Sequence, residues 1–332
     1  MRKAIRLIII AGVIATIAAF SAAPLVTAQE IRIGAMREGT SWYVFAATLE
    51  QIIEPIFGAN TVEVIARGGG VANPMVVQNK KAEIALSNVA TAVWARNGHP
   101  AYQGASAPDI RALVGGLNNV FVGAMARQAF LDDRGTSDLA QLLTAGKSVK
   151  LLMKPVGSSA VPTAMMILEA LGTSADKIKK NGGDIIQVGA PQIPDILRNG
   201  NADVYIDTVI KGHPTISEVS LTANVKFLDL PEAALDLLAK NGLRPGEYGP
   251  WFKGQDGPNK GANLGTVLIA NASLDEEAAY QITKALIENA DKLASAHAAW
   301  KQFKPEEAWK PESTGIELHP GAIRYYKERG WM

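Results

Sequence analysis

The sequence predicts an α/β protein of two lobes, each a mostly parallel sheet flanked by helices, with a ligand cleft between the lobes. Three observations predict this fold. Apolar runs of strand length alternate with apolar stripes at helical spacing. A strand–turn–helix pattern recurs about 120 residues further along the chain. Small polar loops follow the strands, and in open α/β sheets the loops at the carboxyl ends of strands form the ligand site.

The chain of 332 residues begins with the pattern of a secretory signal peptide over residues 1–28. Three basic residues precede the apolar run Leu7 to Phe20, and Val26-Thr27-Ala28 offers small residues for cleavage after Ala28. An uncleaved membrane anchor is the alternative, although the run is shorter than the ~20 apolar residues of a membrane span. We therefore expect a periplasmic protein that does not itself span the membrane after cleavage.

Composition excludes several classes of site. The chain is 48% hydrophobic and 20% charged, which is typical of a globular protein with a core. Its net charge is +1, and removing the three basic residues of the signal peptide leaves −2, so no nucleic-acid partner is indicated. There is no cysteine, and the four histidines lack metal-ligand spacing. We expect no metal and no cofactor.

The first strand is expected over Ile31–Met36, followed by the turn Gly39-Thr40-Ser41 and a helix with an apolar stripe from Phe45 to Ile56. The same order of elements returns later in the chain. Val149–Met153 is an apolar run, Gly157-Ser158-Ser159 is a turn, and another helical stripe follows. Both segments therefore predict a strand, a turn of glycine and hydroxyl residues, and a helix.

A second repeat lies close to the first. Asn79–Asn88 resembles Asn199–Thr208, and in both an acidic residue after alanine opens a strand that ends on polar residues. Between these segments, Val62–Gly70 and Ile185–Ala190 each run from a strand into a small-residue loop. Chance similarity is the alternative, but three matched features at one offset favour two lobes of like topology.

The remaining elements complete the predicted lobes. Leu264–Ala270 reads as a strand, and Ser273-Leu274-Asp275-Glu276 reads as a capping box before a helix. The C-terminal stretch is expected to rejoin the first lobe, so the chain crosses between lobes twice. The expected domains are residues 29–120 with 231–332 for lobe 1, and residues 121–230 for lobe 2.

The sequence gives little support for catalysis, and we expect a protein that is not an enzyme. It has no Gly-x-Ser-x-Gly elbow and no Ser-x-x-Lys, and His213 and His319 lie in turns typical of structural histidines. Asp207 is the only acid in the loops that follow the strands. Gly68-Gly69-Gly70 lacks the spacing of a phosphate loop, which leaves a tight turn or a close ligand approach as readings.

Two helix N-termini predict a cup for an anion. Gly39-Thr40-Ser41 and Gly157-Ser158-Ser159 each place hydroxyl donors at the start of a helix, where a carboxylate is stabilised. Capping explains one hydroxyl per helix but not the second. Arg67, at a strand end, is either a carboxylate clamp or a solvated surface residue. Of the adjacent aromatics, Tyr43 rather than Trp42 is expected to reach the ligand.

Several short motifs carry a resemblance to a known family. The strongest is the C-terminal block Leu318-His319-Pro320-Gly321-Ala322-Ile323-Arg324-Tyr325-Tyr326-Lys327-Glu328-Arg329-Gly330. The others are Ala285–Asn289, Gly212-His213-Pro214, Gly246-Glu247-Tyr248 and the two glycine–hydroxyl turns. In this order and spacing they resemble the TAXI family of TRAP-transporter solute receptors, over nearly all of the mature chain.

The resemblance implies a two-lobed, type II-like periplasmic binding protein that captures a small carboxylate, such as an organic acid, a dicarboxylate or an acidic amino acid. It also implies delivery to membrane permease subunits of the TRAP type, driven by an ion gradient. A receptor of an ATP-driven transporter and a secreted α/β hydrolase are the alternatives. The positions expected to bind the ligand are Gly39, Thr40, Ser41, Trp42, Tyr43, Arg67, Gly69, Gly70, Asn73, Ser87, Asn88, Gly157, Ser158, Ser159, Asp207, Thr208 and His213.

The sequence also departs from the family pattern. Trp42 stands where Gly, Val or Tyr is more usual, and Gly70 replaces a frequent serine. Arg67 replaces a small residue, and Asn88 replaces a frequent aspartate. Because the last two changes make the cleft more positive, they favour a plain mono- or dicarboxylate over an amino acid, whose ammonium group needs an acidic partner.

Overall fold

The computed structural model describes residues 30–332, so the expected signal peptide and its cleavage site after Ala28 lie outside the described residues. Strands and helices alternate along most of this range. The strands are β1 (Ile31–Gly34), β2 (Val62–Ile65), β3 (Ile84–Ser87), β4 (Ile110–Val114), β5 (Phe121–Arg127), β6 (Lys150–Met153), β7 (Asp184–Gln187), β8 (Val204–Val209), β9 (Val225–Leu228), β10 (Arg244–Tyr248), β11 (Asn259–Asn263) and β12 (Val267–Asn271).

The helices lie between and after these strands. They are α1 (Ser41–Phe57), α2 (Ala72–Gln78), α3 (Val89–Asn97), α4 (Gln128–Arg134), α5 (Leu139–Thr144), α6 (Ala160–Ala170), α7 (Ala175–Lys180), α8 (Ile193–Arg198), α9 (Pro214–Thr222), α10 (Glu232–Lys240), α11 (Glu276–Glu288), α12 (Ala290–Ala296), α13 (Pro311–Thr314) and α14 (Pro320–Glu328). Within residues 30–332, none of them is long and apolar enough to cross a membrane.

Two sheets flanked by helices confirm the predicted two-lobed α/β fold. The first sheet has the strand order β2-β1-β3-β12-β4, and the second has the order β10-β11-β5-β8-β6-β7 with β9 beside β5. Both sheets are mixed rather than mostly parallel. Strand β1 pairs in parallel with β2 and β3, and β6 pairs in parallel with β7 and β8. The remaining pairs are antiparallel, which requires no crossover helix between neighbours.

The chain passes from one sheet to the other twice. It leaves the first sheet after β4, enters the second at β5, and returns between β11 and β12. The second passage therefore lies between Asn263 and Val267, later than the boundary expected at residues 230 and 231. The sequence hides β10, because Arg-Pro-Gly-Glu-Tyr over Arg244–Tyr248 has neither alternation nor an apolar run. It is a strand because β11 pairs with it.

The predicted amphipathic helices pack on these sheets as expected. In α1, Phe45, Leu49 and Ile53 are fully buried, and they follow the apolar stripe seen in the sequence. Helix α11 begins two residues later than the capping box suggests. Asp275 is its cap, with Oδ1 accepting from the Ala278 N–H at 3.0 Å, so the cap is an aspartate side chain at the last position before the helix.

The C-terminal stretch returns to the first lobe. Helix α14 packs against α11, and Tyr325 and Tyr326 on it are fully buried. The Tyr326 hydroxyl donates to the Leu113 carbonyl of β4 at 2.9 Å, which satisfies the polar end of a buried aromatic side chain. The end of the chain therefore fixes the first sheet, and the cleft lies away from it.

Candidate functional site

Loops from both lobes enclose a small cavity. Its accessible volume is about 20 Å³, only slightly more than the ~10–15 Å³ that one water molecule needs. Both polar and apolar side chains face it. The lining residues are Met36, Thr40, Ser41, Trp42, Gly70, Asn88, Val120, Lys154, Ser158, Ser159, Thr208, Ile210 and His213.

The lobes touch around this cavity through hydrogen bonds to main-chain carbonyls. The N–H groups of Val71 and Ala72 in the first lobe donate to the Gly157 carbonyl of the second lobe, at 3.1 and 3.3 Å. On another side, the Thr215 hydroxyl donates to the Gly39 carbonyl at 2.8 Å. These contacts join the two glycine–hydroxyl turns to the opposite lobes. The lobes are therefore closed on each other.

The glycine triplet makes this close approach possible. A Cβ on Gly69 would lie 2.5 Å from the Gly157 carbonyl oxygen, and one on Gly70 would lie 2.3 Å from Asn88 Oδ1 and 2.9 Å from Ser159 Cβ. All three distances are shorter than van der Waals contact allows. The group that approaches the triplet closely in this structure is the other lobe's main chain at Gly157, and the expected close approach of a ligand stays a prediction.

Four helices begin at the cavity wall. The residues at their N-caps are Thr40 of α1, Asn88 of α3, Ser159 of α6 and His213 of α9, and all four line the cavity. A helix N-terminus carries partial positive charge and free N–H groups, and it stabilises an anion by about 0.3–1 kcal/mol, more when partly buried. The cavity therefore lies where four such contributions meet.

The hydroxyl residues of the two turns have different hydrogen-bond partners. Thr40 and Ser158 each accept a hydrogen bond from a backbone N–H of the helix that follows, at 3.4 and 3.3 Å. The Ser41 hydroxyl, in contrast, has no hydrogen-bond partner among residues 30–332, and Ser159 makes no side-chain cap. One hydroxyl of each pair therefore caps the helix, and the other is available to a ligand.

A buried cation adjoins these hydroxyls. Lys154 is only 1% exposed, and its Nζ lies 2.9 Å from Asp207 Oδ2 and 3.2 Å from His213 Nε2. Asp207 also accepts from the Tyr205 hydroxyl and, at 2.6 Å, from the Thr208 N–H. The Lys154 ammonium has three N–H donors and, among residues 30–332, only these two neighbours, so it keeps a donor for the cavity that it lines.

Burial and the adjacent Lys154 determine the protonation state of His213. Burial lowers the pKa of His213 well below 6.5, and the positive charge of Lys154 lowers it further. The His213 imidazole is therefore neutral at neutral pH. Burial raises the pKa of Tyr205 well above 10, and so does its contact with Asp207. Within this cluster, the charges of Lys154 and Asp207 cancel, and the helix N-termini set the sign of the cavity.

Two more polar atoms are buried at the cavity without partners among residues 30–332. Trp42 is 6% exposed and lines the cavity, and its Nε1 has no acceptor. Asn88 donates through Nδ2 to the Gly265 carbonyl at 2.8 Å, while its Oδ1 has no donor. Since buried polar groups are nearly always hydrogen-bonded, these atoms indicate ligand contacts.

The structure brings part of the predicted site together. The predicted residues that line the cavity are Thr40, Ser41, Trp42, Gly70, Asn88, Ser158, Ser159, Thr208 and His213. The predicted residues outside its lining are Gly39, Tyr43, Arg67, Gly69, Asn73, Ser87, Gly157 and Asp207. Four lining residues were not predicted, namely Met36, Val120, Lys154 and Ile210.

The predicted residues outside the lining have other positions. Arg67 is exposed to solvent, and Tyr43 is half-buried and does not line the cavity, whereas Trp42 does. Asn73 is fully buried and donates to the Leu86 carbonyl at 2.7 Å, while its Oδ1 accepts from the Gly69 N–H at 3.1 Å. Asn73 therefore holds the glycine loop in place.

Lys154 has a recognisable position in the sequence. It directly follows the apolar run Leu151–Met153 and precedes Pro155, at the carboxyl end of β6. A cation at the end of a buried strand is placed where ligands bind in α/β sheets. Within residues 30–332, no three His, Asp or Glu side chains are grouped as metal ligands.

Comparison with known proteins agrees with this architecture. MatC from Rhodopseudomonas palustris, solved with bound malate, superposes with a TM-score of 0.52 at 14% identity, covering 92% of this chain and 98% of that one. The periplasmic nitrate-binding protein NrtA from Synechocystis PCC 6803 gives a TM-score of 0.50 at 13% identity, covering 86% and 70%. These likenesses show a shared fold. Residues 33–330 match the NMT1-like family, and the chain therefore belongs to that family.

Proposed function

We propose that the protein is an extracytoplasmic solute-binding receptor that captures a small carboxylate between its lobes and delivers it to a TRAP-type permease in the membrane. The observation that carries the proposal is the convergence of four helix N-termini and the buried Lys154 on one interlobe cavity. That arrangement favours an anion, because it combines partial positive charge with donors that have no other partner.

The donors at the cavity are sufficient for useful affinity. Ser41 Oγ, Trp42 Nε1 and Lys154 Nζ can each donate to a carboxylate. A hydrogen bond to a charged group contributes about 1.5–3 kcal/mol, and micromolar binding requires about 8 kcal/mol. Three such bonds and the helix N-termini reach that range before the cost of ordering the ligand. The apolar side chains of Met36, Val120 and Ile210 exclude water.

Family membership and the two-lobed fold support the receptor role, and the expected signal peptide supports a periplasmic location. The resemblance to TAXI receptors supports the TRAP-type permease as partner. A receptor of an ATP-driven transporter would use the same cavity chemistry. Uptake assays in vesicles that contain the candidate permease separate the two transporter types. Uptake by a TRAP-type system stops when the ion gradient collapses, and it does not depend on ATP.

A secreted α/β hydrolase is the second candidate, because serine hydroxyls and a histidine share the cavity. The geometry disfavours it. The His213 Nε2 faces Lys154 at 3.2 Å, and no hydrogen bond links His213 to the hydroxyl of Ser41, Ser158 or Ser159 within the described chain. A serine nucleophile needs such a base within hydrogen-bond reach.

A thermal-shift screen of small carboxylates, followed by calorimetry, tests the proposal. A receptor is stabilised by RT ln(1 + [L]/Kd), about 2.7 kcal/mol at a ligand concentration of 100 Kd. We expect at least one carboxylate to raise the melting temperature and to be recovered chemically unchanged. Stabilisation by no carboxylate, or conversion of the acid to a product, would contradict the receptor.

A further inference from the structure

The side-chain amide of Asn88 has a defined orientation at the cavity wall. Asn88 is fully buried at the N-terminus of α3, and its Nδ2 donates to the Gly265 carbonyl at 2.8 Å. That bond directs Oδ1 away from Gly265 and towards Gly70, where a Cβ would lie 2.3 Å from it. Gly70 and Asn88 both line the cavity, and the buried oxygen lies beside Gly70 in the cavity wall.

This oxygen is a buried acceptor that requires a donor. Oδ1 has no hydrogen-bond partner among residues 30–332, and an amide oxygen can only accept. The ligand proposed above brings a carboxylate, which also only accepts. A plain carboxylic acid would therefore leave Oδ1 unsatisfied when the lobes close. A ligand with its own N–H or O–H group would satisfy it.

The charges around the cavity indicate which donor fits. Lys154 lines the cavity, while no aspartate or glutamate is among the lining residues that the structure describes. Asp207 stands behind Lys154 and is occupied by it and by the Tyr205 hydroxyl. An ammonium group would enter beside a lysine with no carboxylate to pair with. A hydroxyl donates without adding a positive charge.

We propose that Asn88 determines ligand selectivity, by recognising a hydroxyl on the ligand, so that the receptor prefers 2-hydroxy acids to the corresponding unsubstituted acids and to amino acids. The inference rests on the proposed function, since it specifies the ligand of the same cavity. It replaces the preference for a plain carboxylate that the sequence suggested at this position. A cavity of about 20 Å³ holds little more than one water molecule, so the lobes must open to admit any of these acids.

Matched pairs of ligands test the role of Asn88. The pairs are glycolate with acetate, lactate with propionate, and malate with succinate, each differing by one hydroxyl on carbon 2. We expect calorimetry on the wild-type protein to show about 5- to 150-fold tighter binding of the hydroxy acid in at least one pair, the range expected for leaving a buried acceptor unsatisfied. Glycine and alanine should bind more weakly than glycolate and lactate.

Two variants test whether Asn88 causes the preference for hydroxy acids. In Asn88→Ala, the ratio within the pair should fall to within about threefold of one, because only the hydroxy acid loses a bond. Ser41→Ala is the matched control at the same cavity. It should weaken both members of the pair and leave their ratio unchanged, because Ser41 offers a donor to the carboxylate. The wild-type ratio tests the inference even if Asn88→Ala fails to fold.

The outcomes separate the inference from the proposed function. Equal wild-type affinities within every pair would overturn the inference and leave the carboxylate receptor intact. A preference that persists in Asn88→Ala would show that another group recognises the hydroxyl. Tighter binding of glycine or alanine would overturn the exclusion of amino acids. Binding of none of the six acids would overturn the inference, and only the wider carboxylate screen described above would then decide the proposed function.

Discussion

All four histidines of the chain act as helix caps through the same atom. His99, His213, His297 and His319 each accept, through Nδ1, a hydrogen bond from a backbone N–H of the helix or 3₁₀ turn that follows. Three of them precede a proline, which occupies a first helical position that needs no N–H. The turn histidines are therefore structural, and His213 is the one that also lines the cavity.

The division of hydroxyls at the cavity predicts separable effects of substitution. Ser41→Ala and Ser159→Ala remove hydroxyls that cap no helix, so each should lower carboxylate affinity by about 1.5–3 kcal/mol with little change in stability. Ser158→Ala removes the acceptor of the Ala160 N–H and should lower the free energy of unfolding by about 0.5–1.5 kcal/mol. Calorimetry and urea unfolding of the three variants measure both quantities. Equal losses of affinity and stability in all three would contradict the division.

Lys154 gives a second prediction at this scale. Lys154→Met should abolish measurable carboxylate binding and should lower the free energy of unfolding by about 3–5 kcal/mol, because it leaves the buried Asp207 carboxylate unpaired. The double variant with Asp207→Asn removes both charges. It should recover much of the stability, as urea unfolding would show, but not the binding. Full recovery of binding in the double variant would mean that the lysine serves only to neutralise Asp207.

At the scale of elements, the glycine loop between β2 and α2 controls how closely the lobes meet. Gly69→Ala would place a Cβ 2.5 Å from the Gly157 carbonyl oxygen, in the contact that joins the lobes. We expect weaker ligand binding and a smaller ligand-induced decrease in radius of gyration in small-angle scattering, since hinged lobes close around ligands. Gly68 faces Asn73 and the Ala35 carbonyl within its own lobe, so Gly68→Ala is the contrasting variant.

The contrast between the two variants decides the role of the loop. Gly68→Ala should lower stability without changing closure, whereas Gly69→Ala should change closure, with a cost in stability from its φ of 158°. If Gly69→Ala binds ligand and compacts like the wild type, the loop does not control closure.

The elements also show what the sequence could and could not predict. The turns before α1 and α6 were predictable because glycine, hydroxyl residues and a following apolar stripe are local features. Their glycines, Gly39 and Gly157, take φ values of 80° and 99°, which favour glycine. Strand β10 and the inward position of Val120 and Ile210 depend on partners distant in the sequence. Arg67 and Tyr43 were predicted in the site because they adjoin its loops in the sequence. Position in the sequence does not determine which way a side chain faces.

At the scale of the whole molecule, the buried histidines predict loss of stability in acid. Burial lowers the pKa of His213, His297 and His319 below 6.5 in the folded protein. Below pH 6.5 the unfolded chain therefore binds more protons than the folded one, so stability is complete above this pH and falls as the pH approaches the lowered values. Melting temperatures measured between pH 7.5 and 5 should show the decrease.

A single variant tests whether the buried histidines cause the loss of stability in acid. His319→Asn keeps a good helix cap but removes one titrating group, so its melting temperature should depend less steeply on pH than that of the wild type. An identical slope would assign the acid sensitivity to other groups. Because His319 lies at the start of α14 and does not line the cavity, ligand affinity at neutral pH should be unchanged.

The main-chain bonds from Val71 and Ala72 to Gly157 bear on how such a receptor can diversify. Backbone atoms form them, so they are independent of most substitutions in the cavity. Selection or engineering can therefore change the side chains at positions 41, 42, 88 and 154 to suit a new solute, while the main-chain contacts between the lobes stay the same. A library restricted to those four positions would vary the ligand that is bound and keep the contacts that close the lobes. Engineered sensors need ligand specificity and closure to be independent in this way.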